Sequence, residues 1–264
     1  MLVFPQILPA GVAQFPIERR ELLRTVTAVT PGGAIITRMD DDNRISWVLE
    51  YSGLHLDEAV ALESFFLNAA GRLQSFVFLD PLANLLRWSE DLTQSVWSAA
   101  TALQVTPGIS DPQGSSRAFR ITNPLATAAR ISQTIDAPAS YLYCFSFYAR
   151  STAPTTIRLF QQAQARETIA NAGLSPSWRR IVRAARLDSD ANSVSFGVEI
   201  PPGGAVELFA PQVEPQIAPS PYLPSKQNSG VCPKVRFDQD EMTVRADNFN
   251  SYSTRLQLVT AGAL

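Results

Sequence analysis

Apolar and polar positions change their period several times along this chain. Residues 44–51 alternate strictly, with Ile45, Trp47, Leu49 and Tyr51 set against Arg44, Ser46, Val48 and Glu50. A period of two sends successive side chains to opposite faces, so this is a strand with one face buried. Residues 22–29 and 34–39 flank the turn signal Pro31-Gly32-Gly33 and read as two further strands. From 57 to 70 the period becomes helical. Ala59, Leu62, Phe66 and Ala69 recur on one face, Asp57 and Glu58 lie in the first turn, and Gly71 follows as a stop. A strand at 73–79 completes this stretch.

Beyond residue 84 the pattern becomes one of short strands separated by Pro/Gly turns. Strands are predicted at 118–122, 129–135, 141–150, 155–161, 178–186, 193–200 and 205–213, the signature of a β-sandwich or jelly roll. Residues 141–150 are apolar on both faces, as a central strand requires. The Pro-rich stretch 211–224 reads as an extended linker. After 226 the first style returns, with Met242, Val244 and Ala246 alternating and a second alternation at 254–259. Alone, that pair is a marginal hairpin; paired with residues 1–82 it would close a small barrel. The expected architecture is therefore mainly β. A split β-barrel with one helix, from 1–82 and 227–264, is interrupted by an inserted jelly-roll domain at 83–226.

Composition narrows the function more than the fold. Apolar residues make up 45% of the chain and charged residues 17%, which suits a folded protein, and nineteen prolines with thirteen glycines suit many turns. A net charge of −2 gives no electrostatic reason to expect nucleic acid. Arginine supplies twenty of twenty-two basic residues, a count that interface use or genomic composition would equally produce. Cys144 and Cys232 make no disulfide framework, and Cys144 reads as a small buried thiol. The single His55 excludes a multi-histidine metal site and has no Ser or Cys partner suggested for a triad. No apolar run approaches the ~20 residues of a membrane span, and no signal peptide is evident. The expectation is a soluble chain made in a cytoplasm.

No nucleophile elbow, phosphate loop, Cys-x-x-Cys or histidine-based ligand set occurs, so no enzyme activity and no cofactor are expected. The acidic run Asp40-Asp41-Asp42-Asn43 reads as a cation ligand or as a solvated hairpin turn. Asp188, Asp190, Asn192 and Glu199 have calcium-loop spacing, but Ser193 stands where that loop needs Gly, and 194–199 reads as strand. No metal site is expected. Carboxylates converging from distant strands for glycoside hydrolysis stay open to a reading of sequence alone.

Two resemblances add to this. Phe15-Pro16, Trp47-x-Leu49-x-Tyr51, Leu62-x-x-Phe65-Phe66, Gly71-Arg72, Phe76-x-Phe78-x-Asp80-Pro81 and the closing Phe237-Asp238-x-Asp240 together resemble the distal-tail or tail-hub proteins of long-tailed phages and gene transfer agents. That likeness implies a split barrel that assembles with copies of itself into a ring, typically a hexamer. Its partners would be the tail tube protein and the tail-tip, hub and fibre proteins, and its place the virion tail, after assembly in the bacterial cytoplasm.

The second resemblance covers the segment between. Asn84-Leu85-Leu86-x-Trp88-Ser89-Glu90-Asp91-Leu92 with Trp97, then Asp111-Pro112-x-Gly114, Phe147-Tyr148-Ala149-Arg150, Trp178-Arg179-Arg180, Phe209-Ala210-Pro211-Gln212-Val213-Glu214 and Ser220-Pro221-Tyr222-Leu223-Pro224 follow one pattern. It is similar to the carbohydrate-binding-module-like jelly rolls of phage tail and fibre proteins. The implied partner is a host-surface glycan. Sugars stack on aromatic faces, and Trp88, Trp97, Trp178 and Tyr222 are the candidate rings, each alternatively a core residue. Three functions follow as expectations: a tail-end ring component carrying a jelly roll, a glycan-binding adhesin or receptor-binding protein, and a small tail depolymerase.

Overall fold

The computed structural model describes residues 2–7, 11–39 and 44–261; the acidic run at 40–43 lies outside them. The first elements are strands β1 (Ile17–Leu22), β2 (Thr25–Val29), β3 (Ile35–Met39) and β4 (Arg44–Leu54), helix α1 (Leu56–Ala69) and β5 (Phe76–Leu79). Next come β6 (Ser98–Ala99), β7 (Gln104–Ile109), β8 (Ala118–Thr122), β9 (Ala129–Ile135) and β10 (Tyr143–Arg150). Then follow β11 (Thr155–Ala163), β12 (Arg166–Leu174), β13 (Arg179–Ala185), β14 (Val194–Ile200) and β15 (Ala205–Glu214). Strands β16 (Val231–Phe237), β17 (Val244–Asn248) and β18 (Ser251–Thr260) end the series. Two compact units result: Met1–Leu8 with Val12–Phe78 and Cys232–Leu264, and Pro9–Gly11 with Leu79–Val231.

In the first unit, β18 pairs along β4 and also meets β16 and β17, giving the order β1-β4-β18-β16-β5 with β17 attached to β18. Ile45, Trp47, Leu49 and Tyr51 are all buried, as the alternation requires. Helix α1 buries Ala59, Leu62, Phe65, Phe66 and Ala69, and the Glu58 carboxylate accepts the His55 backbone N–H at 2.8 Å at its start. Its end runs through left-handed Ala70 and Gly71, and a Cβ at Gly71 would stand 2.8 Å from Asp240 Oδ1. Phe4, Phe65, Phe76 and Phe237 form an aromatic cluster, with Phe65 edge-on to Phe76 at 5.0 Å and Phe76 tilted against Phe237 at 5.1 Å.

The closed barrel expected from sequence does not form among the described residues. The hydrogen-bonded sheet is open, with β1 at one end of the order and β5 at the other. The apolar face that closure would have buried is covered instead by α1, whose Phe65 and Phe66 rings meet Phe237. Strands β2 and β3 form a separate two-stranded hairpin.

The second unit is a sandwich of two five-stranded antiparallel sheets, β13-β10-β15-β8-β7 and β12-β11-β14-β9-β6, a jelly-roll arrangement. Tyr143, Phe145 and Phe147 of β10 point into it, and Tyr143 and Phe145 meet Phe196 of β14 at 5.3 and 6.0 Å. Cys144, on the opposite side of β10, is fully buried, and burial pushes its thiol up to about 12. The predicted linker at 211–224 is corrected. Residues 211–214 belong to β15, and the chain beyond them is bonded back onto the sheet. Gln212 Oε1 accepts Leu223 N–H at 2.7 Å, and Glu214 accepts Ser220 N–H at 3.1 Å. Pro211 is tolerated within the strand because the ladder to β10 slips there and Ala210 is left-handed.

Candidate functional site

The outer face of the sheet β13-β10-β15-β8-β7 is built from the residues that alternate with the core. On β10 these are Ser146, Tyr148 and Arg150; on β15, Glu207, Phe209 and Gln212; on β13, Arg180; on β8, Arg120. Register aligns Arg150, Glu207 and Arg120 in one row across three strands. Glu207 Oε2 accepts from Arg150 Nε at 2.5 Å, and its Oε1 from Arg120 Nη2 at 2.6 Å. The Arg150 guanidinium lies over the Trp178 ring, 4.7 Å from its centroid. Burial would raise the Glu207 carboxyl, but the hydrogen bonds from Arg120 and Arg150 outweigh it and hold the group below the usual carboxylate range. Among the described residues, no hydrogen bond uses the Nη groups of Arg150 or Nη1 of Arg120, so both retain donors.

A second row lies beside the first. Arg180 stands 5.8 Å from the Tyr148 centroid, Tyr148 is 6.2 Å from Phe209, and Phe209 is 5.6 Å from Tyr222. Arg117 sits over Phe209 at 5.2 Å and is held by Asp111 and Glu90. Tyr148, Trp178 and Tyr222 are half-buried around Phe209. The rest of this face, at Ser146 and Gln212, is covered by the 215–223 segment through bonds from Arg180 and Gln212 to Ser220.

The four rings singled out in sequence therefore separate. Trp178 and Tyr222 share this face. Trp97 is corrected to a core residue: it is buried, and its indole donates to the Trp88 carbonyl at 3.1 Å. Trp88 is half-buried with a left-handed backbone, its N–H bonded to the Lys226 carbonyl, and it stands outside the cluster. Tyr222 is tied by its hydroxyl to Ser89 Oγ at 2.8 Å, and burial raises that hydroxyl above the ordinary tyrosine value. Sequence reasoning missed Tyr148, Arg150, Glu207, Phe209 and Arg120. A signal existed: Tyr148 with Arg150 and Glu207 with Phe209 are each two apart, on one face of a strand whose other face is core.

Among the described residues, the opposite outer face offers no exposed ring. Phe160 lies across Gly197, where a Cβ would strike the ring and the Ile131 carbonyl, and Arg130 covers it at 4.4 Å, leaving it 3% exposed. Glu199, the last residue of the calcium-like spacing, belongs to this face and is bonded to Arg130 and Arg158 at 2.7 and 2.8 Å. Burial opposes its ionisation, but those two bonds prevail and lower its pKa.

No protein-family model matches the chain, and no curated protein matches it. Among solved structures, it is similar to the enzymatically active domain of tailspike protein 4 of bacteriophage CBA120, at 17% identity and a TM-score of 0.40. That match covers 52% of this chain and 22% of the tailspike chain. It is also similar to the CBM22-1 xylan-binding domain of Paenibacillus barcinonensis Xyn10C, at 13% identity and a TM-score of 0.42, covering 52% and 95% of the two chains. The C-terminal family 22 carbohydrate binding module of Clostridium thermocellum Xyn10B is similar at 16% identity and a TM-score of 0.43, over 54% and 97%.

Proposed function

We propose that this protein belongs to a phage or phage-like tail and that its second unit binds host-surface glycans. The observation that carries this reading is the row Trp178, Arg150, Glu207 and Arg120. A sugar presents an apolar ring face and a rim of hydroxyls, so its binding site needs a flat apolar surface beside fixed donors. Trp178 and Tyr148 supply the surface, and the arginines supply the donors. Glu207 holds both guanidiniums in place before any ligand arrives, which lowers the ordering cost of binding. The likeness of 84–224 to tail-protein jelly rolls supports the tail setting. The test is calorimetric titration of the full chain with polysaccharides prepared from bacterial surfaces. Saturable binding that Trp178→Ala weakens supports the reading; binding to none of them, or equal binding by the variant, overturns it.

A second reading, a ring component at the tail end, is favoured by one separate feature. Among the described residues, the β2–β3 hairpin has no further sheet neighbour, and it leaves Val29, Ile35 and Ile36 at 69%, 70% and 56% exposed. Isolated two-stranded hairpins are marginal in water, so a neighbouring copy that covers this one would account for it. Both functions can reside in one chain.

A further inference from the structure

Helix α1 carries two apolar stripes. One faces the core through Leu62, Phe65 and Phe66, and the opposite face of such a surface helix is ordinarily polar. Here that opposite face holds Leu56, Val60 and Leu67, all exposed. At 3.6 residues per turn they fall within about 40° of one another around the axis, with Glu63 in the same arc. Phe249, 97% exposed, sits in the turn between β17 and β18, and that turn is tied to the start of the helix. Asn250 Oδ1 accepts the Leu56 N–H at 3.1 Å, and Asn250 Nδ2 lies 3.1 Å from His55 Nδ1. Single exposed apolar residues are ordinary; several aligned on one face mark a surface that another surface covers.

Charge selects the occupant. Residues 56–69 contain Asp57, Glu58 and Glu63 and no Lys or Arg. Two copies meeting helix to helix would bring carboxylates together with no cation between them, so the fitting surface is apolar and basic. The chain has one in the β2–β3 hairpin. Register sets Val26, Ala28, Ile36 and Arg38 on one of its faces. Residues 24–38 contain Arg24 and Arg38 and no Asp or Glu, and the acidic run at 40–42 follows only after the base pair of Thr25 with Met39. Topology keeps the two surfaces apart within one chain. The hairpin leaves the sheet where Leu22 pairs with Arg44, at the start of β4, whereas α1 and the β17–β18 turn adjoin its far end, where Leu54 pairs with Tyr252. The eleven residues of β4 put about 33 Å between these two points.

We infer that the hairpin of one copy lies, by its Ile36 face, on the outer α1 stripe and Phe249 of a second copy, with Arg38 meeting Glu63. This rests on the ring reading of the first unit and names the two surfaces that join its copies. Because the surfaces differ, the contact is head to tail: each copy offers its hairpin to one neighbour and its helix to the other. A succession of such contacts closes into a ring or runs on as a filament.

The test is sedimentation velocity of the full chain and of two variants, one on each surface. Ile36→Glu sets an acid against the acidic helix, and Val60→Lys sets a cation against the basic hairpin. Both residues are exposed, so both variants should unfold near the wild-type midpoint. Each alone is expected to be monomeric where the wild type assembles. Mixed, the two should form a dimer and nothing larger, because the Val60→Lys chain keeps its hairpin and the Ile36→Glu chain keeps its helix. A wild type that stays monomeric overturns the ring reading and this contact with it. A wild-type assembly that survives either substitution, or a mixture that stays monomeric, overturns this contact alone. Should a charged variant fail to fold, an Ile36→Cys chain oxidised together with a Val60→Cys chain decides. A mixed disulfide in excess of its random share supports the contact, and a random distribution overturns it.

Discussion

At the scale of single residues, Asn84 shows how one side chain organises a unit. Only 3% exposed, it accepts the N–H groups of Leu86 and Val213 at 3.0 and 3.1 Å and donates to the Pro211 carbonyl at 2.9 Å. It thereby ties the opening of the second unit to its last strand, and Ser89 with Tyr222 and Ser225 repeats the tie. This is why the opening and closing phrases of 84–224 stand out together in the sequence: they touch. Asn84→Ala would strand two donors and an acceptor and is expected to cost on the order of 3 kcal/mol, read from urea unfolding. Trp97→Ala should cost about 3–5 kcal/mol through the cavity it leaves. Trp178→Ala should instead leave stability nearly intact and act on glycan binding. The reverse pattern would move the site to Trp97. Glu207 makes a prediction in pH. Its folded pKa lies below its unfolded one, so its contribution is complete above the ordinary glutamate value of about 4.3 and fades as pH falls through the folded value. Glu207→Gln is therefore expected to be less stable at neutral pH and to lose less stability on acidification than wild type. Parallel curves would contradict it.

At the scale of elements, legibility followed chemistry. Strands β8 and β9 are read from sequence with their ends, because β-branched and aromatic residues alternate within clear turn signals. Strand β12 was missed. Its Ala170, Ala172 and Gly173 carry no strand signal, and it is held by a nine-residue ladder to β11. Strand β7 was missed because it contains Pro107 and Gly108, which the structure absorbs in a register shift on an edge strand. The linker reading of 211–224 failed for a related reason: proline content signals an extended chain but not what that chain lies against. The aromatic face was half legible, since rings can be named from sequence whereas their partners on neighbouring strands depend on register. The β2–β3 hairpin carries a prediction at this scale. Its base is closed by the pairing of Thr25 with Met39, so residues 26–38 can be replaced by a short Gly/Ser turn. The first unit should stay folded, and any assembly seen by light scattering should fall toward the monomer. Unchanged mass would remove the hairpin from the interface.

At the scale of the whole molecule, the chain leaves the first unit on β5 and re-enters it on β16, and these strands are neighbours in one sheet. Just beyond them, Asp80 N–H meets the Gly230 carbonyl at 2.8 Å, and Gly230 N–H meets the Asn84 carbonyl at 2.7 Å. A segment whose ends lie on adjacent strands, about 5 Å apart, can be removed without stretching what remains. Each unit also has its own aromatic core, around Phe65, Phe76 and Phe237 in one and Phe145, Phe147 and Phe196 in the other. Joining Phe78 to Cys232 through a short Gly/Ser loop should therefore yield a folded first unit with cooperative unfolding. The excised 79–231 should fold alone and keep whatever glycan binding the full chain has. Deleting 232–261 makes the opposite case, because it removes β18, the central partner of β4, and uncovers Leu49 and Trp47. That truncation should unfold the first unit while sparing the second, as judged by limited proteolysis. A bridged first unit that fails to fold, or a truncated one that survives, would show that the sheet's stability does not rest on joining residues from the two ends of the chain.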